Sequence, residues 1–253
     1  MKVTFLGTGT SQGVPVIACQ CEVCCSLDFR DKRLRTSVHV EVDNKSFVID
    51  TGPDFRQQVL RERIDQLDAV IFTHEHKDHT AGLDDVRAFN FRQKKDMPVY
   101  ARKNVLNQLK REFSYAFEEI RYPGVPQIEP HELSGEPFRV ENVNFTPVEV
   151  MHYKLPVFGY RIGDFTYITD ANYIDDVGKQ KIAGSRVLVL NALQKGPHIS
   201  HYNLEEALAL ALELKTEKTY LTHISHKMGT HKKVQAELPD GVFLAYDGLK
   251  ITL

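Results

Sequence analysis

Thr73-His74-Glu75-His76-Lys77-Asp78-His79 directly follows the apolar run Ala69-Val70-Ile71-Phe72. That run is short and uninterrupted, so it reads as a buried strand. Three imidazoles and two carboxylates then fall within six positions. Side chains two apart point to different sides of a helix, so His74 and His76 cannot chelate one ion from helical geometry. The segment must be a turn leaving the strand. Asp78 and His79 then sit at the start of the next helix, where Asp78 also suits an N-cap. Imidazole together with carboxylate fits zinc, manganese or iron. A polar loop with chance histidines is the bland alternative, but H-x-H-x-D-H is far more specific than a lone histidine.

The pattern resembles the signature of the metallo-β-lactamase-fold hydrolases. That resemblance implies further positions, and each has a match at or just past an expected strand end. Asp50 ends Ser46–Asp50, His152 follows Phe145–Val150, Asp170 follows Phe165–Thr169, and His223 follows Lys218–Thr222. In α/β folds the chemistry sits at such ends. Carried over, the family geometry implies that His74, His76 and His152 hold one divalent ion and that Asp78, His79 and His223 hold another. Asp170 would bridge them, with Asp50 orienting ligands or water from behind. The implied fold is α/β: a four-layer αββα sandwich of two pseudo-repeated halves, read as one domain over residues 1–253.

Composition is compatible with this. The chain has 253 residues, 42% hydrophobic and 26% charged, enough for a large core. A net charge of −2 gives no bulk attraction for nucleic acid. No run approaches the roughly 20 apolar residues of a membrane span. The start, Met1–Gly7, is too short in apolar run for a signal peptide. A cytoplasmic protein is expected.

All four cysteines lie between Cys19 and Cys25, which is metal-like clustering and not a disulfide framework. Cys19-x-Cys21-x-x-Cys24 offers three thiolates, and a tetrahedral structural zinc needs a fourth ligand, for which His226 is the candidate. Redox-active or plainly buried thiols are the alternatives. The resemblance favours zinc: the branch that includes phosphoribosyl 1,2-cyclic phosphate phosphodiesterase, of the carbon–phosphorus lyase pathway, carries such a cluster and a late histidine. Cys25 is surplus. Resemblance to this branch covers almost the whole chain. It includes Thr51-Gly52-Pro53-Asp54-Phe55-Arg56 and Thr222-His223-Ile224-Ser225-His226. Asn191 departs from it, because an acidic residue is expected there.

Along the chain, Val3–Leu6 reads as a strand and Gly7–Gly13 as a tight loop near the metal site. Thr36–Val42 and Lys45–Asp50 form a hairpin around Asp43-Asn44. Asp54 is the expected N-cap of a helix over Phe55–Arg63. Helices are expected over Ala81–Gln93 and Asn104–Phe113, flanking a strand at Met97–Ala101. Ser114–Pro137 has no clear period and suits an active-site rim or lid. Strands at Val143–Val150, Val157–Ile162, Phe165–Thr169, Arg186–Leu190 and Thr219–Leu221 alternate with helices near Asp175–Ile182 and Leu204–Leu214. Gly241–Leu253 reads as a terminal hairpin. Leu204–Leu214 is strongly apolar, which core burial explains as readily as a homodimer face.

The resemblance implies hydrolysis of a small, cyclic phosphodiester by a hydroxide shared between two zinc or manganese ions. An alkoxide leaves poorly without a proton donor. His201, in Pro197-His198-Ile199-Ser200-His201-Tyr202-Asn203, matches the family histidine that donates this proton or clamps the phosphate. His198 is left open between a functional and a packing role. Arg56 and Arg87 are weaker candidates for phosphate contact. His39, His131 and His231 read as structural or surface residues. Competing functions are an RNA-processing endonuclease of the same fold and a non-hydrolytic metal-binding accessory protein.

Overall fold

The computed structural model describes residues 1–118 and 122–253. Its strands are β1 (Lys2–Gly7), β2 (Ser37–Val42), β3 (Lys45–Ile49), β4 (Ala69–Ile71), β5 (Met97–Ala101), β6 (Ile128–Glu132), β7 (Phe138–Val140), β8 (Val143–His152), β9 (Leu155–Ile162), β10 (Phe165–Tyr167), β11 (Val187–Asn191), β12 (Lys218–Thr222), β13 (Val242–Leu244) and β14 (Lys250–Thr252). The helices are α1 (Glu22–Cys25), α2 (Phe55–Glu62), α3 (Lys77–Thr80), α4 (Arg87–Gln93), α5 (Lys103–Glu112), α6 (Ser114–Phe117), α7 (Asp176–Ile182), α8 (Leu204–Leu214) and α9 (His231–Glu237).

Two seven-stranded sheets result, ordered β14-β1-β2-β3-β4-β5-β6 and β13-β12-β11-β10-β9-β8-β7. Strand alternation explains the layers. In β3, Phe47 and Ile49 join the central cluster, whereas Val48 joins Val70 of β4 in an outer cluster with Phe55, Phe89 and Leu109. In β11, Val187 and Val189 point to the centre, and Leu188 and Leu190 point outward to Ala207 and Leu210 of α8. Each sheet is therefore apolar on both faces and is covered by helices on one of them, giving the αββα order. Phe47 and Phe145 meet edge-on at the centre, 5.3 Å between ring centroids.

The β2–β3 hairpin turns at Asp43 and Asn44, with φ of 51° and 58°. Both central residues of the favoured two-residue turn need positive φ, which Asp and Asn tolerate. Other expectations are corrected. Gly241–Leu253 is no hairpin: β13 runs parallel to β12, and β14 runs antiparallel to β1 in the other sheet. Asp247, between them, accepts from Leu34 N and Thr8 Oγ1, each at 2.8 Å. Phe243 and Ile251 thereby reach the same central cluster from opposite sheets. Asp54 makes no cap bond; it accepts instead from Arg35 N (2.8 Å) and pairs with the Arg35 guanidinium at 3.0 Å. Ala81–Gln93 is a 3-10 turn at Leu83–Val86 followed by α4. Part of Ser114–Pro137 (119–121) lies outside the described residues; the described remainder includes α6 and β6, the latter an edge strand parallel to β5.

His39 is structural. Its Nε2 lies 2.7 Å from Ser46 Oγ, and burial pushes its pKa down to about 4. The folded value is below the unfolded one, so stability is complete above about pH 6.5 and falls as acid protonates the unfolded chain first. Between pH 7 and 4.5, wild type should lose about 2–3 kcal/mol more than His39→Gln in urea melts. Parallel loss in both proteins would contradict this.

Candidate metal centre

The sheets bring their chemistry to one end. Asp50 leaves β3, Thr73–His79 leave β4, His152 ends β8, Asp170 follows β10 and His223 follows β12. Asp50, Asp170 and His223 leave their strands with φ of 66°, 57° and 57°. Left-handed backbone is uncommon outside glycine and concentrates at sites where the surroundings hold it in place. Gly52 lets two loops touch: a Cβ there would lie 2.2 Å from the Asp78 carbonyl oxygen. Gly52→Ala should therefore displace the Asp78 loop, visible as weakened metal uptake in a titration of the stripped protein. Uptake equal to wild type would contradict it.

Two adjoining groups form, His74 with His76 and His152, and Asp78 with His79, Asp170 and His223. Within each, one ligand atom per residue lies inside 4.8 Å of the others. His79 Nε2 lies 3.2 Å from both Asp78 Oδ2 and Asp170 Oδ2, and His223 Nε2 is 3.2 Å from Asp170 Oδ1. None of these approaches has hydrogen-bond geometry. His74 Nε2, His79 Nε2 and both His223 ring nitrogens are buried without a hydrogen-bond partner. Such atoms are costly to bury, and cations among them would satisfy all the converging nitrogens at once. The donor set, imidazole plus carboxylate, fits divalent zinc or manganese.

Supporting contacts aim the rings. Asp50 Oδ1 accepts from Thr73 N (2.8 Å), and Oδ2 accepts from Thr73 Oγ1 (2.8 Å) and His79 Nδ1 (2.7 Å). The last bond turns His79 Nε2 toward Asp78 and Asp170. His152 Nδ1 donates to Ser200 O at 2.9 Å, leaving its Nε2 free. Burial opposes charge on His79, yet Asp78, Asp170 and Asp50 hold its pKa well above the usual histidine value. Burial pushes His74 well down. Asp78 sits inside α3, not at its N-cap, which is His76. Thr73 was not singled out in the sequence; only its place between strand and first histidine hints at its role.

His201 joins the same space. Its Nε2 is 3.0 Å from Asp170 Oδ1, its ring stacks on His223 at 4.9 Å, and it groups with His152 and Asp170. His198 is exposed, with Nδ1 3.2 Å from His201 Nδ1. Asn191, the departure from the acidic expectation, has a clear task. Its Oδ1 accepts from Ala171 N and its Nδ2 donates to Ala171 O, both at 2.8 Å, fixing the residue after Asp170. A carboxylate could not donate the second bond. Arg87 pairs with Asp84 at 3.3 Å, and Arg56 lines a surface pocket of about 290 Å³ with Phe55, Asp85 and Phe89. Neither belongs to the metal-ligand groups.

The cysteines form a second cluster. Sγ of Cys19, Cys21 and Cys24 lie 3.2, 3.5 and 3.6 Å from His226 Nδ1. The Cys24 backbone N–H leads in lowering the Cys21 thiol to about 6, whereas burial pushes Cys24 up to about 11. Cys25 is exposed and outside the cluster. Three sulfurs around one imidazole nitrogen fit a closed four-ligand site. Alongside it, Thr10 N donates to Ile224 O (3.1 Å) and Ile224 N to Thr8 O (2.9 Å), tying the N-terminal loop to the His223 segment.

Comparison with known proteins agrees with this architecture. Residues 45–224 match the family described as "Beta-lactamase superfamily domain". A crystal structure described as a new diphosphatase from the PhnP family superposes with a TM-score of 0.93 at 42% identity, covering 99% of this chain and 96% of that one. An octanoyltransferase of Porphyromonas gingivalis is 38% identical over 253 residues, 99% of this chain but 51% of that protein. A ribonuclease Z of Staphylococcus epidermidis is 25% identical over 171 residues, 64% of this chain and 49% of the relative. The chain thus spans about half the length of these two curated relatives. Among the described residues no helix is long and apolar enough to cross a membrane. On the family match, the shared fold and the whole-length likeness to the diphosphatase, this chain belongs to the β-lactamase superfamily, in its PhnP branch.

Proposed function

We propose that the chain is a dinuclear-metal phosphodiesterase acting on a small phosphodiester, cyclic in the simplest case. The observation that carries this reading is the set of buried, unpartnered imidazole nitrogens facing Asp78 and Asp170. His74, His76 and His152 would hold one divalent ion, Asp78, His79 and His223 a second, and Asp170 would reach both. Zinc or manganese there would supply positive charge for the phosphate oxygens and for the attacking and leaving groups. Cys19, Cys21, Cys24 and His226 would hold a structural zinc with no open position.

The chain's own groups complete the chemistry. Asp50 holds His79 in one tautomer through the 2.7 Å bond at Nδ1. The hydrogen bond from His201 Nε2 to Asp170 supports a role for His201 in giving a proton to a leaving alkoxide or clamping a phosphate oxygen. A net charge of −2 supplies little of the counterion-release affinity that RNA binding uses, which favours a small substrate over the ribonuclease reading. The test is His201→Ala with the metal content measured alongside. Turnover of an alkyl-leaving diester should fall by about 10²–10⁴-fold, the usual worth of a positioned acid, with bound metal unchanged. Unchanged turnover would remove His201 from the mechanism.

A further inference from the structure

Three large, exposed apolar side chains lie within three residues of His152, Asp170 or His201 in sequence. Tyr153 is 50% exposed, Tyr173 57% and Ile199 69%. Tyr153 directly follows His152, Tyr173 lies three residues after Asp170, and Ile199 two before His201. One side chain ties their loops together. Asn172 Oδ1 accepts from Tyr153 N at 2.7 Å, and Asn172 Nδ2 donates to Ile199 O at 3.1 Å. The backbone adds a bridge between Met151 and Tyr173. The loops carrying the three side chains therefore form one braced unit that also carries His152 and His201.

Tyr153 also sits where its backbone is unfavourable. It opens the two-residue turn between β8 and β9 with φ of 58°. A bulky residue in the left-handed region is strained, and asparagine or glycine would be less so. Asn172 clamps this turn through the Tyr153 backbone, and the phenol ring, half exposed, belongs to the residue directly after His152. The Lys154 ammonium lies 5.3 Å from the centre of that ring. An aromatic face with a cation next to it suits a ligand that has a planar group and a nearby phosphate.

We propose that Tyr153, with Tyr173 and Ile199 alongside, is a specificity platform that seats a planar aromatic group of the substrate. The preferred substrates are then phosphate esters bearing a nucleobase-like ring, in place of bare sugar phosphates. This rests on reading the metal groups as a phosphoester site.

The test is equilibrium binding by calorimetry to manganese-loaded protein, comparing adenosine 5′-monophosphate with ribose 5-phosphate. Wild type and Tyr153→Phe should prefer the adenosine ligand by about 10-fold or more, the scale of base–aromatic stacking. Tyr153→Asn keeps a residue that accepts the left-handed turn and removes the ring. It should bring the two affinities within about 2-fold of each other, leaving ribose 5-phosphate binding unchanged. Equal affinities in wild type, a preference that survives in Tyr153→Asn, equal weakening of both ligands, or binding of neither would overturn the proposal. Hydrolysis of adenosine 2′,3′-cyclic phosphate is followed in parallel. An intact binding preference without any turnover would sink the phosphodiesterase reading and leave the platform standing.

Discussion

Asp170→Asn is expected to cut phosphodiester turnover by at least about 10³-fold, the upper end of what one preorganised electrostatic group usually contributes, and to lower metal content. The reason is the number of partners that converge on this carboxylate. Oδ2 faces His79 Nε2 at 3.2 Å, and Oδ1 faces His223 Nε2 at 3.2 Å and His201 Nε2 at 3.0 Å. Those histidines hold Asp170 well below the usual carboxylate range even against its burial. Asparagine nearly keeps the volume but removes the charge, so the packing change is small and the electrostatic change is large. The check is metal analysis and turnover on the same preparation, with circular dichroism to show that the fold persists. An Asn variant with full metal and wild-type turnover would mean that Asp170 is not shared between ions.

The second large effect concerns the cysteine cluster. Cys21→Ser should lose one equivalent of zinc and much stability, whereas Cys25→Ser should change neither. Cys21 belongs to the four-residue group, and Cys25 is exposed outside it. A site occupied at 1,000 times its Kd contributes about 4 kcal/mol. For a chain of this size that corresponds to a melting shift of about 8–16 °C. The loss should begin locally, because the cluster joins α1 to the His226 turn across the molecule. Faster proteolysis between residues 10 and 30 in Cys21→Ser is the accompanying sign. Equal zinc and equal melting temperature in both variants would show that the thiols are merely buried.

The candidate metal site was legible in sequence because its central residues come in a dense, unusual local pattern at a strand end. His74-x-His76-x-Asp78-His79 needs no long-range information. Asp170 and His223 were reached through the resemblance, which calls for an acid and a histidine just past strand ends, and both match. The fold class followed from the order of elements and the family resemblance; the continuous apolar run Val187–Leu190 fits it, since its residues alternately face two different cores. What the sequence hid depends on distant partners. β13 and β14 look like a hairpin locally, and only Asp247's bonds to Thr8 and Leu34 show why the chain crosses between sheets. Asp54 has every local feature of an N-cap, but Arg35, nineteen residues earlier, competes for it. Asn191 reads as a departure until Ala171 is seen on both ends of its amide. β6 lacks a strand-like pattern because it is an edge strand, with Ile128 its one buried residue.

The most direct measurement is hydrolysis of bis(p-nitrophenyl) phosphate and of a cyclic nucleotide by protein stripped of metal and then reloaded with manganese or zinc. Stripped protein should be inactive, and activity should return in proportion to metal bound at His74, His76, Asp78, His79, His152, Asp170 and His223, and not at all in Asp170→Asn. Full occupancy of those sites with no turnover of either diester would contradict the phosphodiesterase account.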